Sequence, residues 1–298
     1  MRARCLIPAA GLGTRLRPVT RVVPKELLPI GTRPMLQWCL TEALEGGFEE
    51  IGVVVSDAKP TLAAYVRDGL WRDGLLPALE EKARAVRVTT FRQESPTGVV
   101  GAVLAAGAWL EEGALAVFLP DNVRIAGPPP LTAADLEDAE RRGVVLAACH
   151  RVGPESRYFF SDVGRVEIDD LAPAGAGSRV LDLQERGGAS AFRAPPEGGW
   201  RLMPRYTVTA PWLEEGRRVA GEAALTGREA DDVLVHRRLV ERKLLRAIPW
   251  KGTIVDAGNP AGYLWAAHLL HESGLRDRDA LDRGSETEDL VSIDLGEM

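Results

Sequence analysis

Short apolar runs alternate with segments of helical periodicity throughout the first 150 residues, and few folds accommodate that order. Cys5-Leu6-Ile7-Pro8 reads as a strand entering a loop from Ala9 to Thr14. Residues 34–45 place Met35, Trp38, Cys39, Ala43 and Leu44 at helical spacing, and Gly46-Gly47 then stops the helix. Strands are predicted over 51–55, 86–91, 114–119 and 144–149, with helices over 60–70, 98–110 and about 131–142 between them. Repeated strand–helix units give a mainly parallel sheet with right-handed crossovers. Ligands of such sheets bind beyond the carboxyl ends of the strands.

After residue 150 the texture changes. Runs over 163–168, 179–184 and 201–209 read as strands separated by turn-rich stretches such as Ala172-Pro173-Ala174-Gly175 and Pro195-Pro196-Glu197-Gly198-Gly199. This predicts a smaller antiparallel or mixed lobe over 151–275, covering the part formed by 1–150. Helices over about 228–242 and 260–272 and a strand over 245–249 complete a single domain of residues 1–275. The tail 276–298 carries eight acids and three arginines. With 298 residues, 45% hydrophobic and 27% charged, the chain can bury a sizeable core.

No apolar run approaches the roughly 18–20 residues of a membrane helix, and the first residues lack a signal-peptide pattern, so the expected location is the cytoplasm. The net charge of −6 argues against a nucleic-acid partner. Within it, residues 1–33 hold seven arginines or lysines and one acid, leaving 30 basic and 42 acidic side chains elsewhere. A cationic patch in an acidic protein suits a small polyanion. The cysteines Cys5, Cys39 and Cys149 lie far apart among apolar neighbours and read as buried thiols, and no Cys/His spacing resembles a zinc site. His150, His236, His268 and His271 form no triad or ligand pattern and read as structural.

The patch coincides with Gly11-Leu12-Gly13-Thr14-Arg15-Leu16-Arg17-Pro18-Val19-Thr20, continuing to Pro24-Lys25-Glu26-Leu27-Leu28-Pro29. Glycines after a strand let backbone N–H groups approach phosphate oxygens. Arginine adds a fork of donors, and lysine a compact charge. A dinucleotide fingerprint would need glycine where Leu16 stands and a helix where Pro18 stands, and a P-loop would need Gly-Lys-Ser/Thr. Neither fits. Asp121 follows the predicted strand 114–119, and Asp256 precedes the predicted helix 260–272. Two carboxylates with phosphate oxygens and water make a magnesium site, although a turn former and a helix cap would look the same in sequence.

These segments resemble the sugar-1-phosphate nucleotidyltransferase family, with its G-x-G-T-R-x-x-P-x-T loop followed by P-K. The likeness is closest to the bacterial UTP–glucose-1-phosphate uridylyltransferases, through Pro24-Lys25-Glu26-Leu27-Leu28-Pro29. It implies a Rossmann-like mixed, mainly parallel sheet with a smaller antiparallel sugar-binding lobe. It also implies transfer of a nucleotidyl group from UTP to a sugar 1-phosphate, with Mg2+ on Asp121 and Asp256 and release of pyrophosphate. Arg15, Lys25 and Arg186 take catalytic roles in that resemblance. Ala10, Gly11, Gly13, Thr14, Glu26, Gln93 and Gly98 meet the nucleotide, while Glu185 and Gly164 meet the sugar. Family members are often dimers or tetramers, so a homo-oligomer is expected. Arg186 stands where the family has lysine, and Pro204 where it usually has a glycine at the sugar. A dTTP-dependent thymidylyltransferase and a non-catalytic nucleotide-binding regulator remain alternatives.

Overall fold

In the first strand, β1 (Arg4–Pro8), Cys5 and Ile7 face one way and Leu6 the other, and all three are fully buried. A strand with two buried faces needs a helical layer on each side. The computed structural model describes residues 2–152, 165–169, 177–183 and 199–272. In chain order the elements are β1, β2 (Pro29–Ile30), β3 (Arg33–Pro34), α1 (Met35–Glu45), β4 (Glu50–Val55), α2 (Pro60–Arg67), α3 (Pro77–Ala85) and β5 (Arg87–Arg92). There follow α4 (Gly98–Leu104), α5 (Gly107–Glu111), β6 (Leu115–Phe118), β7 (Asn122–Ala126), α6 (Ala133–Arg142) and β8 (Val145–Val152). The remainder is β9 (Arg165–Ile168), β10 (Ser178–Leu183), β11 (Gly199–Val208), α7 (Ala210–Thr226), α8 (Asp232–Glu241), β12 (Leu245–Pro249), β13 (Thr253–Asp256) and α9 (Pro260–Glu272).

Nine strands form one mixed sheet in the order β5-β4-β1-β6-β11-β8-β12-β10-β9. β5, β4, β1 and β6 run parallel, and β11 enters antiparallel between β6 and β8. β9 pairs with both β10 and the start of β11, so β8 to β12 close a circuit of pairings. One face of the sheet packs against α1, α2, α3 and α6, the other against α4, α5, α7 and α8. A separate antiparallel pair, β7 with β13, carries α9 through Val123, Ile125, Val255, Ala266 and Leu270.

The strands predicted from apolar runs are all present, several lengthened or shortened by one to three residues, though Val163, Gly164 and Gln184 lie outside the described residues. The helix predicted over 98–110 is two helices. Ala106 is fully buried with ψ 32°, and Gly107 opens α5, whose Trp109 stands edge-on to Phe91 at 5.0 Å. The helix predicted from 228 begins at Asp232, where the Asp231 side chain caps it by accepting from Val233 N–H at 2.9 Å. No described helix is long and apolar enough to cross a membrane. All three cysteines are buried and none forms a disulfide among the described residues; burial pushes the Cys39 thiol up to about 12.

Candidate active site

Three parallel strands deliver the site. The carboxyl ends of β1, β5 and β6 lead respectively into Ala9 to Thr14, into Gln93 and into Leu119-Pro120-Asp121. Gly13 holds φ +64°, and a Cβ there would lie 3.3 Å from the Cβ of Lys25 and from Thr20 Cγ2. Glycine is therefore required for the turn to pass this close to Lys25. Thr20 Oγ1 ties the turn by donating to the Gly13 carbonyl at 2.7 Å.

Lys25 Nζ donates to Asp121 Oδ2 at 2.5 Å. Arg15 bridges the carboxylates, 3.9 Å from Asp121 and 3.8 Å from Asp256. Asp256 reaches this point through the β7–β13 ladder, in which it pairs with Asn122, and Ala257 N–H donates to the Asp121 carbonyl at 2.7 Å. A Cβ at Gly258 would come within 2.7 Å of Asp121 Oδ2 and 3.0 Å of both Arg15 Nη2 and Asp256 Oδ1. Any side chain at 258 would fill the space between the charged groups. Burial alone would raise the Asp121 carboxyl, but Lys25 and Arg15 outweigh it and hold it below the usual carboxylate range. Burial would likewise lower Lys25, and Asp121 with Glu26 keeps it above the ordinary lysine value.

The Asp121 corner is supported from beneath by Arg205, fully buried and absent from the predicted site. Its guanidinium pairs with Glu42 at 2.5 and 3.1 Å and donates to the carbonyls of Leu119 at 2.9 Å and Asn122 at 2.7 Å. A signal existed in sequence: Glu42 is an acid on the apolar face of α1. Arg201 was also not foreseen. It donates to Asn122 Oδ1 at 3.1 Å and stands 3.5 Å from His150 Nε2. Burial and Arg201 lower His150 to about 3, so the ring is neutral near pH 7. His236 accepts from Trp212 Nε1 at 3.3 Å, and His268 packs on Trp265, which fits structural roles.

The cleft has two chambers that share Lys25, Val99, Leu119, Asp121 and Glu229. Ala10, Gly11, Gly13, Thr14, Gln93 and Gly98 line the first, and Gln93 is held by donating to Thr97 Oγ1 at 3.0 Å and the Gly98 carbonyl at 3.2 Å. Arg15, Asp121 and Asp256 line the second, together with Asn122, Arg201 and Pro204. Glu26 departs from expectation. Its side chain is fully buried and its Oε2 accepts from Lys59 Nζ at 2.7 Å, so it turns into the protein behind Lys25. Gly164, Glu185 and Arg186 lie outside the described residues. Asp121 and Asp256, both within 4 Å of the one Arg15 guanidinium, offer oxygen donors that suit a hard ion whose shell is completed by phosphate oxygens and water. The Lys25 ammonium already marks the Asp121 face as a place for positive charge.

Residues 4–187 match the model of the nucleotidyl transferase family. The chain belongs to that family. A UTP–glucose-1-phosphate uridylyltransferase of Bacillus subtilis (strain 168) is 27% identical over 92% of this nucleotidyl transferase and 94% of its own length. A second protein of that strain, UTP–glucose-1-phosphate uridylyltransferase YngB, is 34% identical over 87% of this chain and 86% of its own. Among solved structures, a UDP-glucose pyrophosphorylase complexed with UDP-glucose superposes with TM-score 0.72 at 25% identity, covering 92% of this nucleotidyl transferase and all of that chain.

Proposed function

We propose that this protein transfers a uridylyl group from UTP to glucose 1-phosphate, forming UDP-glucose and pyrophosphate. The observation that carries the reading is the meeting of Lys25, Arg15, Asp121 and Asp256 at one junction of the two chambers. The two relatives over most of the chain bear the name of that activity.

The step is a single in-line displacement. A phosphate oxygen of the sugar 1-phosphate forms a bond to the α-phosphorus of UTP while the bond to the bridging β-phosphate oxygen breaks. A phosphate dianion is already a competent nucleophile, so the step needs no general base. Catalysis then comes from positioning and charge. The Gly11 to Thr14 turn and Arg15 hold the departing β- and γ-phosphates. Lys25 neutralises charge at the α-phosphoryl group. Asp121 and Asp256 hold Mg2+, which when bound supplies positive charge to the phosphate oxygens. Gln93 and Gly98 form the base pocket. Arg186 takes the sugar phosphate, and Glu185 and Gly164 the sugar. The working form is a cytoplasmic homo-oligomer.

The test is pyrophosphate release across a grid of UTP and dTTP against several sugar 1-phosphates, with and without magnesium. Fastest turnover is expected for UTP with glucose 1-phosphate, and none without the metal. Preference for dTTP, or UTP binding with no turnover for any sugar, would replace this reading.

A further inference from the structure

Lys59 takes no part in the reaction as written, yet its side chain is 7% exposed and reaches back from beyond the end of β4 to the base of the phosphate loop. Its Nζ donates to the Ala9 carbonyl at 2.8 Å and to Glu26 Oε2 at 2.7 Å. Ala9 immediately precedes the turn that lines the first chamber, and Glu26 immediately follows Lys25. Backbone pairing links these segments elsewhere: Ala9 N–H goes to the Val54 carbonyl, while the turn around Lys25 bonds within itself through Leu27 to Pro24 and Leu28 to Lys25.

Burying an ammonium and a carboxylate together is a weak route to stability, because both lose their hydration. Such a pair is better explained by what it places. The second oxygen of Glu26, Oε1, is buried without a hydrogen-bond partner, so the carboxylate is not optimised for its own solvation either. Burial lowers Lys59 below the ordinary lysine value against the pull of Glu26.

We propose that Lys59 is a positioning residue: by holding the Ala9 carbonyl and the Glu26 carboxylate on one ammonium, it sets the separation between the phosphate-loop amides and the Lys25 ammonium. In the reaction proposed above, on which this inference rests, that separation aligns the departing pyrophosphate with the α-phosphorus. The loop grips one end of the triphosphate and Lys25 the reacting centre. A brace between them therefore matters more in the transition state than in the bound ground state.

The decisive variant is the double substitution Lys59→Met with Glu26→Gln, which removes the brace without leaving a buried charge unpaired. Its kcat is expected to fall about 10- to 100-fold, the loss that a displacement of about 1 Å brings. KM for UTP should change less than about threefold, since uniform binding is untouched. Wild-type kcat, or a raised KM with kcat unchanged, overturns the proposal. Glu26→Gln alone keeps the bond to Ala9 and should shift kcat the same way by a smaller factor; it carries the test should the double variant not fold, and an unchanged kcat there overturns the proposal too. Amide exchange of the unliganded protein provides a readout independent of turnover. Peptides within residues 9–28 should exchange faster in the variant, with peptides of α6 unchanged. If the wild-type protein turns over no sugar phosphate, the proposed function fails, and equal exchange rates in this segment would separately remove the brace.

Discussion

Between Ala9 and Leu28 the chain runs as loop and three short 3₁₀ turns (Thr14–Leu16, Val19–Arg21 and Lys25–Leu27), whereas Asp121 and Asp256 stand at one end of a paired ladder with Arg205 clamped beneath. The exposures follow the same division. The Arg15 side chain is 48% exposed and those of Asp121 and Asp256 are 10% and 6%. The cationic wall is thus irregular backbone secured by a few side-chain ties, and the acidic wall is sheet and buried ion pair. A flexible triphosphate can be gripped by groups that shift with it, but carboxylates that hold an ion must keep a fixed separation.

The largest effect that would sharpen this contrast is expected from Asp121→Ala. Turnover measured by pyrophosphate release should drop on the order of 10³- to 10⁴-fold, since the variant removes the Lys25 partner and the carboxylate proposed to hold the ion. Next comes the support beneath. Glu42→Ala leaves Arg205 charged and uncompensated in the core, and urea unfolding should show a loss of about 3–5 kcal/mol. Arg15→Ala should lower kcat/KM by about 10²-fold while leaving the urea midpoint unchanged, because the side chain is half-exposed and bridges at nearly 4 Å. Destabilisation as large as that of Glu42→Ala would abolish the distinction between the walls. Per pH unit, the smallest effect is that of acid on stability. His150 titrates near 3 in the folded protein against 6.5 unfolded, so below pH 6.5 the unfolded chain binds a proton that the folded one refuses. Stability then falls as pH drops through that window, by up to about 1.4 kcal/mol per pH unit. His150→Gln should flatten the slope of the urea midpoint between pH 6 and 4 by about one proton.

Much of the cationic wall was legible because its chemistry is local: glycine, arginine and lysine sit in one continuous stretch, and β1, β4, β5, β6 and β8 show as apolar runs. The acidic wall was legible only as two isolated aspartates. What joins them, β7 with β13, is a pair of short strands enclosed by turn residues such as Pro120-Asp121 and Ala257-Gly258-Asn259, with too few residues to show a period. Helix α7 was missed for a related reason. Its 17 residues include Pro211, Gly216 and Gly221, and its buried set is Trp212, Glu215, Gly216 and Val219, so the apolar stripe is thin. Glu26 was misplaced because a motif fixes a residue type, while the direction of its side chain was decided by Lys59, 33 positions away.

The antiparallel β11 lies between β6 and β8. During synthesis, the ribosome has made two thirds of the polypeptide before that strand can enter, and until then β6 and β8 each present an open edge. Chains caught at this stage expose backbone groups that invite pairing with another nascent copy. Expression of the amino-terminal half alone should accordingly yield aggregates, and supplying β11 on the same chain should close both edges.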